Sequence, residues 1–408
     1  MKNKTALTVL AGIMSFRMLG LFMILPVFSV YAEHIPGATA TLIGLTLGIY
    51  GLTQACLQIP FGILSDHIGR KPVILIGLIL FFIGSAVAAL SHSIYFLILG
   101  RALQGTGAIG STVLATVADI TPIESRSKAM AFIGLSIGLA FTVAMIVGPV
   151  INYWFRLSGI FWLTAILALI GIVLTAWKIP EIPPASCTPC NSPPPFFKGG
   201  NQISKGVNAV LHNRQLLRLN FGIFSMHAIL TALFIVIPII LTKQLSLTEW
   251  QQIILYLIIL ILGFAFALPF IIIAEKKKKI KGVFVAGIIA IFIVQCLFFM
   301  FAKNSPDIAA AIPTPFFKGG VFVLLFLFFA AFTLLEALLP SLVSKIAPPE
   351  RKGAAMGIYS SSQFLGIFAG GSIGGLVFAH ANIAGVFVTN SALALTWLVI
   401  ASSMKKPI

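Results

Sequence analysis

Charge is what this sequence has least of. Only 9% of its 408 residues are Asp, Glu, Lys or Arg, against about 25% in soluble domains. With hydrophobic residues at 59%, such a chain cannot cover a water-facing surface, and a soluble globular protein is excluded. No phosphate-binding loop G-x-x-x-x-G-K-[ST] occurs, so no ATP site is expected. No nucleophile–base pair or metal cluster stands out, so neither an enzyme nor a metal or other cofactor is expected. Cysteine is scarce and says little. Cys56 and Cys296 fall in apolar stretches, where buried thiols are expected. Cys187 and Cys190 have redox or metal spacing, but one pair in a Pro-rich loop cannot complete a four-ligand site.

What the chain has instead is long apolar runs. A helix needs about 20 residues to cross a hydrocarbon core of ~30 Å. Twelve such runs are predicted: 5–31, 41–64, 72–91, 94–118, 129–152, 158–179, 217–241, 250–274, 282–302, 320–344, 353–379 and 383–403. Lipid cannot satisfy exposed backbone amides, and barrel strands would need alternating polarity, so helices are expected. The fold class is an all-α polytopic membrane protein.

A net charge of +17 would suggest nucleic acid in a soluble chain. Here position decides otherwise. With the N-terminus inside, twenty-one Lys and Arg fall on the inner side, and only Arg156, Lys243, Lys303 and Lys318 on the outer. That bias predicts both termini in the cytoplasm, with membrane lipids rather than nucleic acid as partners of the basic loops. Met1 to Lys4 looks like the start of a signal peptide. The apolar segment after it is too long for one and contains Arg17, so it is read as a retained first span.

Residues 180–216, rich in Pro, Ser, Lys and Asn, read as a cytoplasmic linker between an N-terminal unit, 1–179, and a C-terminal unit, 217–408. The hexapeptide Pro195 to Gly200 recurs as Pro315 to Gly320, on the opposite side of the membrane by this topology. A repeated DNA element inserted in tolerant loops is the simplest account. The two units also repeat each other. Asp119 to Met130 aligns without gaps to Lys345 to Met356, Ser65 to Arg70 has a degraded copy at Ala274 to Lys279, and Pro26 matches Pro238.

Between the second and third spans lies Gly62-Ile63-Leu64-Ser65-Asp66-His67-Ile68-Gly69-Arg70-Lys71. It resembles motif A of the major facilitator superfamily, G-x-L-[AS]-D-R-x-G-R-[RK], departing only at His67. Leu97 to Ala108, with Arg101, Gln104, Gly105 and Gly107, resembles motif B of its proton-coupled branches. Motif C, the antiporter signature, is partial: Gly148 and Pro149 stand, but Ala144, Asn152 and Tyr153 replace glycines. The resemblance runs along nearly the whole chain, toward the drug:proton antiporter-like group. Some members of that group carry a soluble C-terminal domain, which a chain ending at Ile408 is expected to lack.

The resemblance implies the major facilitator fold, with 12 transmembrane helices in two pseudo-symmetric six-helix bundles and substrate bound between them. It implies that Asp66 lies by the start of span 11 near Gly353, that Arg70 pairs with Asp119, and that Gly69 permits the turn, together forming a cytoplasmic gate with Gly62. It also implies that spans 1, 4, 7 and 10 line the cavity. Arg17, Arg101, His227 and Glu336 fall one on each of those spans, and charge at mid-bilayer costs at least ~2.5–3.5 kcal/mol unless it faces the interior. Glu336 is the single carboxylate deep in a span, which makes it a candidate for proton coupling. A static Glu336–Arg17 ion pair and a packing role for His227 are the open alternatives. Tyr31, Glu33 and His34 read as solvated rim.

The resulting expectation is a monomeric transporter in the bacterial inner membrane, exchanging a small amphipathic or hydrophobic substrate for protons by alternating access. The gradient, rather than a cofactor, would drive it. Sugar or metabolite export on the same scaffold is the second reading, and a non-transporting membrane sensor the third.

Overall fold

Helices account for the architecture, and no strand occurs among the described residues. The structure is a computed structural model and describes residues 2–181, 210–276, 279–303, 314–348 and 352–404. Cys187, Cys190, the first hexapeptide copy and most of the 180–216 linker lie outside them.

Helix α1 (Lys2–Phe22) is followed by α2 (Leu25–Tyr31), which Pro26 starts from its first turn. A short 3-10 turn, Ala32–His34, completes the segment. Thr39 caps α3 (Ala40–Ile68), accepting from the Leu42 N–H at 3.3 Å. Gly69, at φ 95 and ψ 159, turns the chain directly into α4 (Arg70–Ala89). Ser93 caps α5 (Ile94–Thr106), and α6 (Gly110–Ile120) follows after three non-helical residues. The expected single run 94–118 is therefore interrupted. At the interruption Gly107 lies against the Gly77 carbonyl of α4, where any Cβ would collide.

Two long helices each contain a break. In α7 (Ile123–Lys178) Arg156 has φ 56 and ψ −168; in the last helix, α12 (Lys352–Ser402), Asn382 has φ 57 and ψ −166. Both stand equally far beyond Pro122 and Pro348, the prolines that precede their helices. The sequence repeat thus has a backbone counterpart at positions where the residues differ. Between them run α8 (Arg214–Ile239), a π-helical turn Ile240–Gln244, α9 (Glu249–Lys276), α10 (Ile280–Lys303) and α11 (Thr314–Ile346). Helix α11 begins earlier than the expected 320, because Pro315 suits a first helical turn. The second hexapeptide copy is accordingly helix and not loop, a correction to the sequence reading.

Nine stretches are long and apolar enough to cross a membrane among the described residues. Their outer surface is apolar too: Ile76, Ile79 and Ile83 of α4 and Ile254, Ile258 and Ile261 of α9 are exposed at helical spacing. Cys56 is exposed on α3 rather than buried, so the expectation of two buried thiols fails there.

The segments before and after the linker meet chiefly through α3 with α12, α2 with α8, and α7 with α9. Along α3, a Cβ on Gly44, Gly48 or Gly51 would strike the backbone of Gly371, Phe368 or Phe364. Only glycine lets these backbones come so close. Farther along α3, a Cβ on Gly62 would meet only Ser111 of α6. The tight seam therefore occupies the half of α3 away from the Asp66–Arg70 turn.

Candidate functional site

Buried polar side chains gather in two clusters, one from the first half of the chain and one from the second. In the first, Arg17 of α1 and Arg101 of α5 are both 1% exposed. Arg17 Nη2 donates to Gln54 Oε1 at 2.5 Å and to the Tyr50 hydroxyl at 3.2 Å. The Arg101 guanidinium lies over the Tyr50 ring, 5.0 Å from its centroid, and donates to Gln104 Oε1 at 2.9 Å. Gln104 in turn donates to Ser85 Oγ, and Gln54 to Gln58 Oε1. Tyr50 of α3 thus touches both arginines.

In the second cluster His227 of α8 is 1% exposed, and its Nε2 lies 3.8 Å from Glu336 Oε2 of α11. The ring Nδ1 faces the Ile223 carbonyl at 3.3 Å. A carbonyl only accepts, so Nδ1 carries the proton of the neutral ring. Nε2 is then the acceptor for the Gln363 amide of α12, at 2.8 Å. The lone pair that would take up a proton therefore faces both Gln363 and Glu336.

Aromatic rings connect the clusters. Phe22 meets Phe141 edge-on at 4.9 Å, Phe141 meets Phe332 at 5.4 Å, and Phe332 lies 5.7 Å from His227. Helices α1, α7, α11 and α8 supply these rings, so the path crosses between the halves.

Of the four ionisable residues predicted within spans, Arg17, Arg101 and His227 are buried and the Glu336 side chain is 29% exposed; they fall in two pairs. Arg17 and Glu336 are not paired with each other, and the static ion pair weighed as an alternative is absent among the described residues. Two further groups surround them. At one end Arg70 bridges Asp66 at 2.5 Å and Asp119 at 3.0 Å and donates to Ser65 Oγ at 2.6 Å. Gly353, beside which Asp66 is expected, lies in the first turn of α12, just after residues 349–351, which lie outside the described ones. Among the motif glycines, a Cβ on Gly105 would meet Thr53 and Tyr50, and one on Gly148 would meet the Met23 backbone. Pro149 lies inside α7, with no break at that point. The motif positions thus set helix-to-helix distances around the arginines.

At the other end Lys243 donates to Glu33 at 2.6 Å, and the rim reading of Glu33 misses this contact between the halves. Pro238 has no N–H to give the Phe234 carbonyl; Ser29 Oγ donates to it instead, at 2.8 Å. Tyr153 meets Trp250 at 5.2 Å at the same end. Sequence reading also misses Tyr50 and Gln363. Gln54 and Gln58, four residues apart in an apolar run, were the available signal for the first cluster.

Membrane-crossing helices around two ionisable clusters define a polytopic helical membrane protein. Residues 10–320 match the Major Facilitator Superfamily, and the chain belongs to that family as a transporter. It is 44% identical to the inner membrane transport protein YajR of Escherichia coli (strain K12) over 98% of this chain and 83% of that protein. It is 25% identical to the multidrug resistance protein MdtH of Aeromonas salmonicida (strain A449), over 90% of this chain and 86% of that one. The crystal structure of the nucleoside transporter NupG superposes with a TM-score of 0.71 at 17% identity, covering 98% of this chain and 100% of that one.

Proposed function

We propose that this chain exports small amphipathic or hydrophobic compounds in exchange for protons, by alternating access between two six-helix bundles. The observation that carries the reading is the His227–Glu336 pair. A carboxylate and an imidazole stand 3.8 Å apart inside the bundle, with no arginine in ion-pair reach of Glu336 among the described residues. Such a pair can hold one proton or release it without leaving a fixed ion pair behind.

The nine apolar stretches support a reading of twelve crossings, counted in three steps. The broken helices α7 and α12 each supply two, since a helix of 51 residues would run about 76 Å, far beyond a bilayer. Helices α5 and α6, each too short alone, together supply one more. The equivalent breaks at Arg156 and Asn382 support two related bundles, residues 1–179 and 217–408. Among the described residues, the Glu33–Lys243, Ser29–Phe234 and Tyr153–Trp250 contacts join the halves at one end, which supports a conformation closed there. The positive-inside bias supports an orientation with that end outside the cell and the termini within, in the inner membrane. The multidrug resistance protein MdtH among its relatives supports export of amphipathic compounds.

The test is fluorescent-dye efflux in everted vesicles with an imposed pH gradient. Glu336→Gln is expected to abolish gradient-driven transport while leaving downhill exchange of the same dye. Unchanged gradient-driven flux in a correctly inserted Glu336→Gln protein would remove proton coupling through this pair.

A further inference from the structure

The first cluster holds two buried guanidinium groups and, among the described residues, no acid to match them. Among the described residues Glu336 is paired with His227, Asp66 and Asp119 with Arg70, and Glu33 with Lys243. Arginine does not deprotonate in a protein, so Arg17 and Arg101 are two positive charges wherever they sit. Their neighbours supply amide and carbonyl oxygens, a hydroxyl and ring faces, all of them neutral. Nε and Nη1 of Arg17 and Nη2 of Arg101 have no hydrogen-bond partner there. Tyr50 accepts from Arg17 but has no acceptor for its own O–H among the described residues. Unmatched donors and charge at this depth are costly, and a fixed helical scaffold holds them in place.

We propose that the Arg17–Tyr50–Arg101 cluster binds the acidic head of the transported compound, which makes the substrate class an amphipathic organic anion. This rests on the transport reading above. A carboxylate or similar oxyanion accepts from both guanidinium groups and from the Tyr50 hydroxyl. The Tyr50 and Gln54 side chains are the layer that the head displaces as it enters. The Phe22–Phe141–Phe332 path then receives an aromatic or aliphatic body and leads it toward His227 and Glu336. A cationic compound would meet repulsion at one end, and a neutral one would leave the arginines unmatched.

The experiment compares ligands of one shape and different charge. Thermal stabilisation of the purified full chain in detergent is measured with an aryl carboxylate, its primary amide, an aryl-ammonium analogue and sodium chloride alone. The carboxylate is expected to bind about tenfold to a hundredfold more tightly than the amide, the range for charge-assisted hydrogen bonds. Arg17→Gln should erase that preference and Arg17→Lys restore part of it. If Arg17→Gln does not fold, the wild-type comparison decides alone. Equal binding of carboxylate and amide, or chloride matching the carboxylate with no gain from the aryl group, overturns the proposal. Carboxylate-selective binding without gradient-driven flux would leave this inference standing and remove proton-coupled export. Gradient-driven efflux of neutral compounds, with no carboxylate preference in binding, would do the reverse.

Discussion

Three residues with positive φ show how differently one backbone demand can be met. Gly69 takes φ 95 at the turn between α3 and α4, where a side chain would be strained. Arg156 and Asn382 take φ 56 and 57 with ψ close to −170, a region nearly reserved for glycine and worth about 1–3 kcal/mol of strain. Asn382→Gly is accordingly expected to stabilise the fold by about 1 kcal/mol or more, read as a higher Tm in detergent. An unchanged or lower Tm would mean that the Asn382 side chain compensates for its backbone. Residue-level legibility follows the same divide. The Arg70–Asp119 pair could be named because the resemblance of residues 62–71 to motif A implies it. Tyr50 and Gln363 could not, because an isolated polar residue in an apolar run looks alike whether it faces a ligand, a neighbour or nothing.

At the scale of elements, glycine decides where helices touch. The Gly44, Gly48 and Gly51 face of α3 meets Gly371, Phe368 and Phe364 of α12 backbone to backbone. Gly48→Leu is expected to force the two helices apart there and abolish transport, since no flexible side chain can yield in place of the Phe368 carbonyl. Gly62→Ala is expected to be far milder, because its new methyl group meets only the Ser111 side chain, 3.2 Å away. Flux and expression of the two variants in parallel check this, and comparable losses would contradict the asymmetry of the seam. The run lengths and turn residues made most helices legible. The break between α5 and α6 was not, because Gly107 gives way to a neighbour, Gly77 of α4, that lies close only after folding. The early start of α11 was missed because Pro315 within a duplicated peptide read as loop rather than as a first helical turn.

For the molecule as a whole, the Glu33–Lys243 contact is an ion pair that joins the segments on either side of residues 180–216. Its side chains are 34% and 55% exposed, so screening limits it to about 1 kcal/mol, or roughly a fivefold bias toward closure at that end. Lys243→Glu is expected to raise thiol labelling of a cysteine placed at Ser29 by at most that factor. The charge swap Glu33→Lys with Lys243→Glu should return it to the starting level. Labelling unaffected by either change would leave closure to the Tyr153–Trp250 contact. The repeat of residues 119–130 at 345–356 was legible in the sequence, whereas the Glu33–Lys243 contact was not, because two charged residues 210 positions apart carry no sign of being neighbours.

The two acid-free arginines carry one more consequence, for what the transporter keeps out. Fixed cationic charge repels hydronium and sodium alike, as a single arginine does in water-selective pores. Stray water threading past Tyr50 would therefore conduct poorly. A cell could hold such a carrier idle in its envelope without short-circuiting the voltage that powers everything else.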